Sequence, residues 1–225
     1  MTLDKKKNNI DILILVLFSV YPLAILSGNF LINLFIIIIA SLFILNLLIK
    51  KNTLGIYKKK FFIFIFFFIS LCINLIFTND IYLSYQRVLK FFFVIFFILA
   101  YRHLIYLNNN QLNYLYKLWF LIFAVVCIDL IFEFFIGFNL LGLKSYAPGR
   151  LGGFLGGSTV YDAELVIGNY FSAFVLLSLS YFYKNYTKNK ILNIFIALIT
   201  ITISFIIGER ANFAKTIIII SLFIF

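Results

Sequence analysis

Arg210 stands in the segment Gly208-Glu209-Arg210-Ala211-Asn212-Phe213-Ala214-Lys215, a short polar turn between two long apolar runs. A guanidinium held beside apolar surroundings is costly unless something pairs with it, and Glu209 is the nearest candidate. A Glu–Arg pair that merely caps the turn is the plain structural reading. Lys215, a turn or so further along the same element, speaks against it. Two cations and one acid then sit at a helix start, where negative charge is preferred. An external anion at Arg210 would remove that conflict.

Arg150 lies in Ala147-Pro148-Gly149-Arg150-Leu151-Gly152-Gly153-Phe154. Glycines on both sides let backbone and guanidinium approach one ligand together, and a diphosphate suits the bidentate fork of an arginine. An ordinary solvated loop arginine is the alternative. Arg87 and Lys90, spaced i, i+3, share one helix face; they either widen an anionic site or snorkel toward headgroups. Asp129 and Glu133, spaced i, i+4, are expected to neutralise such cations in an ion-pair network. Asp162 and Glu164 precede another apolar run, where capping a helix start suffices to explain them. Glu164 is also a candidate proton acceptor or sugar-binding group.

Other chemistries find little support. His103, the single histidine, stands beside Arg102 and reads as a solvated loop residue. Cys72 and Cys127 both fall inside apolar runs and read as small buried hydrophobes. No Cys/His cluster with metal-ligand spacing, nucleotide-type glycine loop or nucleophile elbow occurs in the sequence.

The elements that must position these residues are membrane spans. The chain is 64% hydrophobic, 12% charged and has a mean hydropathy of +1.09, well outside the range of soluble domains. Phe accounts for 31 of 225 residues, and with abundant Ile, Lys and Asn this reflects AT-rich codon usage rather than an aromatic binding device. At about 20 apolar residues per crossing, spans are predicted at 10–27, 30–49, 61–78, 88–107, 115–137, 165–183 and 191–207, with an eighth starting at Ala211 and cut short at Phe225. The expected fold is therefore an all-α, polytopic transmembrane helix bundle in one domain, the N-terminal part of a longer protein. The basic N-terminus imitates a signal peptide, but lacks a small-x-small cleavage site and reads as an uncleaved first helix.

Charge sets the expected orientation. With the N-terminus cytoplasmic, 13 Lys and Arg fall on that face and six on the other: Arg87, Lys90, Lys144, Arg150, Arg210 and Lys215. That is a positive-inside bias, so the net charge of +11 is a topology signal rather than a nucleic-acid footprint. Three of the four arginines nonetheless lie on the outer side, and anion binding is the leading reason to keep them there. The outward connections are short except 138–164, which with Gly137 carries seven of the eleven glycines. Such composition describes a pliable loop able to bring backbone close to a ligand.

Several of these segments together resemble the O-antigen ligase/polymerase family. They are the run from Asp129 and Glu133 through Gly137, Asn139 and Gly142, then Arg150-Leu151-Gly152-Gly153-Phe154, then Asp162-Ala163-Glu164-Leu165-Val166-Ile167-Gly168-Asn169-Tyr170, then Gly208-Glu209-Arg210. The resemblance covers about the second half of the chain and rests on order, spacing and a common outward side. Residues 156–161 depart from it, since family members run more directly from the Phe to the acidic pair. The resemblance implies a glycosyltransferase of the bacterial inner membrane that works at the periplasmic face without metal or other cofactor. Its donor would be a glycan on undecaprenyl diphosphate, and its acceptor a second lipid-linked repeat or the lipid A core. It also implies a further large outer loop beyond Phe225.

On this reading Arg210 and Arg150 stabilise the departing diphosphate, and Arg87, Lys90, Lys215, Glu164 and Glu209 complete the substrate site. Two other classes compete. A transporter or flippase for lipid-linked sugars would place charges along a path through the membrane, whereas these cations stop at its outer third. A non-enzymatic scaffold of envelope assembly would give the outer arginines no role.

Overall fold

The computed structural model describes residues 9–49, 58–107, 109–144, 149–155, 166–185 and 190–224. Among them every regular element is helical: α1 (Asn9–Leu26), α2 (Asn29–Ile49), α3 (Lys58–Asn74), α4 (Ile81–Leu107), α5 (Asn109–Ile136), α6 (Val166–Asn185), α7 (Lys190–Ile206) and α8 (Arg210–Ile224). Apolar side chains this dense leave the backbone no water to bond with inside a bilayer, and a helix satisfies every N–H and C=O within the segment. Among the described residues, four helices are long and apolar enough to cross a membrane, over Asn9–Leu26, Asn29–Ile49, Ile81–Ile105 and Leu112–Ile136. Apolar stretches of α3 and α7 are shorter. The chain is thus a helical, membrane-embedded, multi-pass protein.

The helices form where the apolar runs predict them, but two start early. Helix α5 starts at Asn109, six residues before the expected position, and α4 at Ile81, seven residues before. Asp80 caps it, accepting the Leu83 N–H at 3.1 Å through its carboxylate. Arg87 and Lys90 therefore lie inside the helix, both exposed, rather than at its end.

Two compact units divide the chain. The first comprises residues 1–21 and 29–112. Its aromatic rings interlock between helices: Phe18 with Phe97 at 4.8 Å, Tyr21 with Phe97 at 5.0 Å and Phe67 with Phe91 at 5.1 Å between centroids. A polar knot is buried among them. Asp11 of α1 accepts the Asn46 side-chain amide of α2 at 2.6 Å and lies 3.2 Å from His103 Nε2 of α4. The expectation of a solvated His103 is corrected here. The ring is buried against Phe43, because the Asp11 carboxylate gives its nitrogen a partner inside the bundle.

The second unit comprises residues 22–28 and 113–225. Helix α6 is its most buried element and packs against α7 and α8. On α5, Leu115, Trp119, Phe123, Val126 and Leu130 are buried along one stripe, the i, i+3, i+4 recurrence of a core-facing helix. Trp119 meets Phe174 edge-on at 5.5 Å, and Phe123 meets Phe171 at 5.1 Å. The stripe ends on Asp129 and Glu133, so its last turn presents carboxylates instead of hydrocarbon.

Candidate functional site

The buried carboxylates of α5 are anchors for the chain that follows. Glu133, 2% exposed, accepts the Gly152 N–H at 3.0 Å on one oxygen and the Gly153 N–H at 2.7 Å on the other. Asp129 accepts the Leu140 N–H at 2.7 Å. Asn139, fully buried, accepts the N–H groups of Leu141 and Leu143 through its side-chain oxygen and donates to the Gly153 carbonyl. Asp129 and Glu133 therefore hold loop backbone, where an ion-pair network was expected. No cation pairs with either among the described residues. The reason is proximity: the chain turns back over the end of α5, and its free N–H groups reach the carboxylates first.

That anchoring brings the Arg150 segment against the Arg210 turn. The Leu151 N–H donates to the Ile207 carbonyl at 3.2 Å. Gly208, with φ +82°, presses against the same segment: a Cβ there would lie 2.6 Å from the Gly149 carbonyl oxygen and 3.2 Å from Arg150 Cγ. Both the left-handed backbone and the close approach require glycine. Beside this junction opens a cleft of about 400 Å³, lined by Phe134, Gly149, Phe205, Ile206, Gly208, Glu209, Arg210 and Phe213. Arg150 and Arg210 are both exposed, and neither forms an ion pair with a carboxylate among the described residues.

Glu209 is not the partner of Arg210 that its position suggests. Its side chain turns toward α6, accepting the Gly168 N–H at 3.3 Å and the Asn212 side-chain amide. Gly168 is the third residue of α6, so its N–H has no acceptor within the helix. Asn212, 6% exposed, accepts in turn from Lys215 Nζ at 3.1 Å. Lys215 thus joins the α8 cluster through Asn212. Arg87 and Lys90 belong to the first unit, on α4. Asp162 and Glu164 lie outside the described residues.

Reading the sequence placed Gly168, Asn139 and Asn212 within motifs but gave none of them a role. An uncharged amide gives no signal until its neighbours are known, and Gly168 gains its role only once its N–H is seen to donate to Glu209. What remains is two joined segments whose arginines pair with no carboxylate among the described residues, next to a cleft with three phenylalanines in its lining. It can hold an anion whose body is apolar. Compared with known protein families, curated proteins and solved structures, the chain matches none.

Proposed function

We propose that this chain is a membrane glycosyltransferase that takes a glycan from a lipid diphosphate carrier, as in O-antigen polymerisation or ligation. What supports the reading is one observation: two arginines, unpaired with any carboxylate among the described residues, stand on backbone segments hydrogen-bonded to each other, with Gly149 and Arg210 lining one cleft. In the reaction an acceptor hydroxyl attacks the anomeric carbon, the bond from that carbon to the diphosphate oxygen breaks, and the bonding electrons leave with the lipid diphosphate. Arg150 and Arg210 meet the charge that develops there. Preorganised donors aimed at such charge are worth about 3 kcal/mol each. Lys215, on the same helix as Arg210, adds to the positive field in this reading. The hydroxyl proton goes to a base; Glu164 is one candidate, and the further outer loop that the family resemblance implies is the other source.

The finer topology belongs to the same proposal. Eight crossings with a cytoplasmic N-terminus put the Arg150 and Arg210 segments on the periplasmic side of the bacterial inner membrane, where lipid-linked glycans are joined. The donor is then an undecaprenyl-diphosphate glycan, and the acceptor another such unit or the lipid A core.

Arg150→Lys and Arg210→Lys test the reading, since lysine keeps the charge but loses the fork. Each is expected to lower glycan transfer about a hundredfold or more, with the variant still present in the membrane at the wild-type level. Normal product from both variants would overturn it. Transfer by the detergent-solubilised protein, which has no bilayer to move a substrate across, separates chemistry from flipping.

A further inference from the structure

An acid directly before Arg210 ought to defeat an anion site. Glu209 and Arg210 line the same cleft, and a carboxylate free to swing there would pair with the guanidinium and halve the positive charge that Arg150 and Arg210 offer together. Yet in the structure that carboxylate is held elsewhere. One oxygen takes the Gly168 N–H at 3.3 Å, an N–H at a helix start where negative charge is favoured. The other takes the Asn212 amide, whose own oxygen is held by Lys215 at 3.1 Å. Glu209 is 9% exposed and Asn212 6%, so the contact is inside the unit rather than on its surface.

The arrangement depends on a missing side chain. A Cβ at position 168 would clash with the Glu209 carboxylate, lying 2.5 Å from its carbon and 2.8 Å from Asn212 Nδ2. The near atoms are the charged end of Glu209, a residue that also lines the cleft. Position 168 lies within α6 and its φ is not in the left-handed range. The glycine is therefore explained by the close approach of Glu209 and not by backbone geometry.

We propose that Gly168 and Asn212 are positioning residues that sequester the Glu209 carboxylate, and that this lock is what keeps Arg210 open to an external diphosphate. The proposal rests on the anion-binding reading of Arg150 and Arg210. It adds the reason an acid can stand beside them, and it assigns a role to two residues that touch no substrate. Freed from the lock, Glu209 acts as an internal competitor for Arg210.

Binding of inorganic diphosphate to the detergent-solubilised chain, followed by titration calorimetry, tests it. Gly168→Ala and Asn212→Ala are each expected to weaken binding about fivefold, the worth of a partly exposed ion pair. Asn212→Ala removes the amide without adding volume, so it serves if Gly168→Ala does not fold. Adding Glu209→Gln to either variant should return affinity to within about twofold of wild type, because a displaced amide carries no charge. A general distortion of the turn would not be rescued by that change. Wild-type affinity in both single variants, or no rescue by Glu209→Gln, would overturn the lock while leaving the arginine site standing. Absence of diphosphate binding by the wild type, with Arg150→Ala and Arg210→Ala indistinguishable from it, would overturn the anion site and the lock with it.

Discussion

A carboxylate inside an apolar helix persists only when its oxygens are met, and α5 shows how different the terms can be. Glu133 takes two backbone N–H groups, one on each oxygen. Asp129 takes one, and its Oδ2 has no hydrogen-bond partner among the described residues. The two acids look equivalent in sequence, one turn apart on one face, but Glu133 ties two successive residues of the loop that leads out of Arg150. Glu133→Ala strands both N–H groups and is expected to cost about 2–4 kcal/mol. A fall in Tm of the purified protein in detergent checks this. Glu133→Gln, which can still accept one of the bonds, should fall between wild type and Glu133→Ala; equal Tm values for all three would contradict the role assigned to the carboxylate.

Between elements, the decisive contact is the one that seats the 149–151 segment on the start of α8. Gly208 makes it possible, since a Cβ would meet the Gly149 carbonyl at 2.6 Å. Gly208→Ala introduces both that clash and a left-handed alanine, together roughly 1–3 kcal/mol. The expected outcome is loss of glycan transfer far beyond the loss of stability, because the two arginine segments separate while the helices remain. A far-ultraviolet circular dichroism spectrum unchanged from wild type, beside transfer reduced at least tenfold, is the anticipated pair of results. Full activity would show that Arg150 and Arg210 need not be held together. The helices themselves were legible beforehand. Their apolar runs predict nearly every boundary, since a segment in hydrocarbon has no other way to satisfy its backbone. The early start of α4 was not, because residues 81–87 are polar enough to read as loop and only the Asp80 cap reveals the added turns.

At the scale of the molecule, cation placement is the property that a membrane reads. With 13 Lys and Arg expected on one face and six on the other, the sequence predicts that Leu141, exposed in the loop after α5, faces outward. In a background carrying Cys72→Ser and Cys127→Ser, Leu141→Cys should react with a membrane-impermeant maleimide applied to the outer face of spheroplasts. Labelling only after permeabilisation would place the arginine segments on the wrong side for the proposed chemistry. Composition and periodicity by themselves determined that the chain is helical, apolar and multi-pass, and picked out Arg150, Arg210 and Lys215 as cations in unusual places. These are local properties, read from consecutive residues and their transfer energies. Partnership is not local. That Glu209 abandons its neighbour Arg210 for a glycine 41 positions earlier, that Glu133 binds backbone rather than a cation, and that His103 is buried against Asp11 were settled only when the helices packed. Each depends on which N–H groups and side chains arrive within 3 Å or so of an oxygen, and sequence spacing carries no record of that.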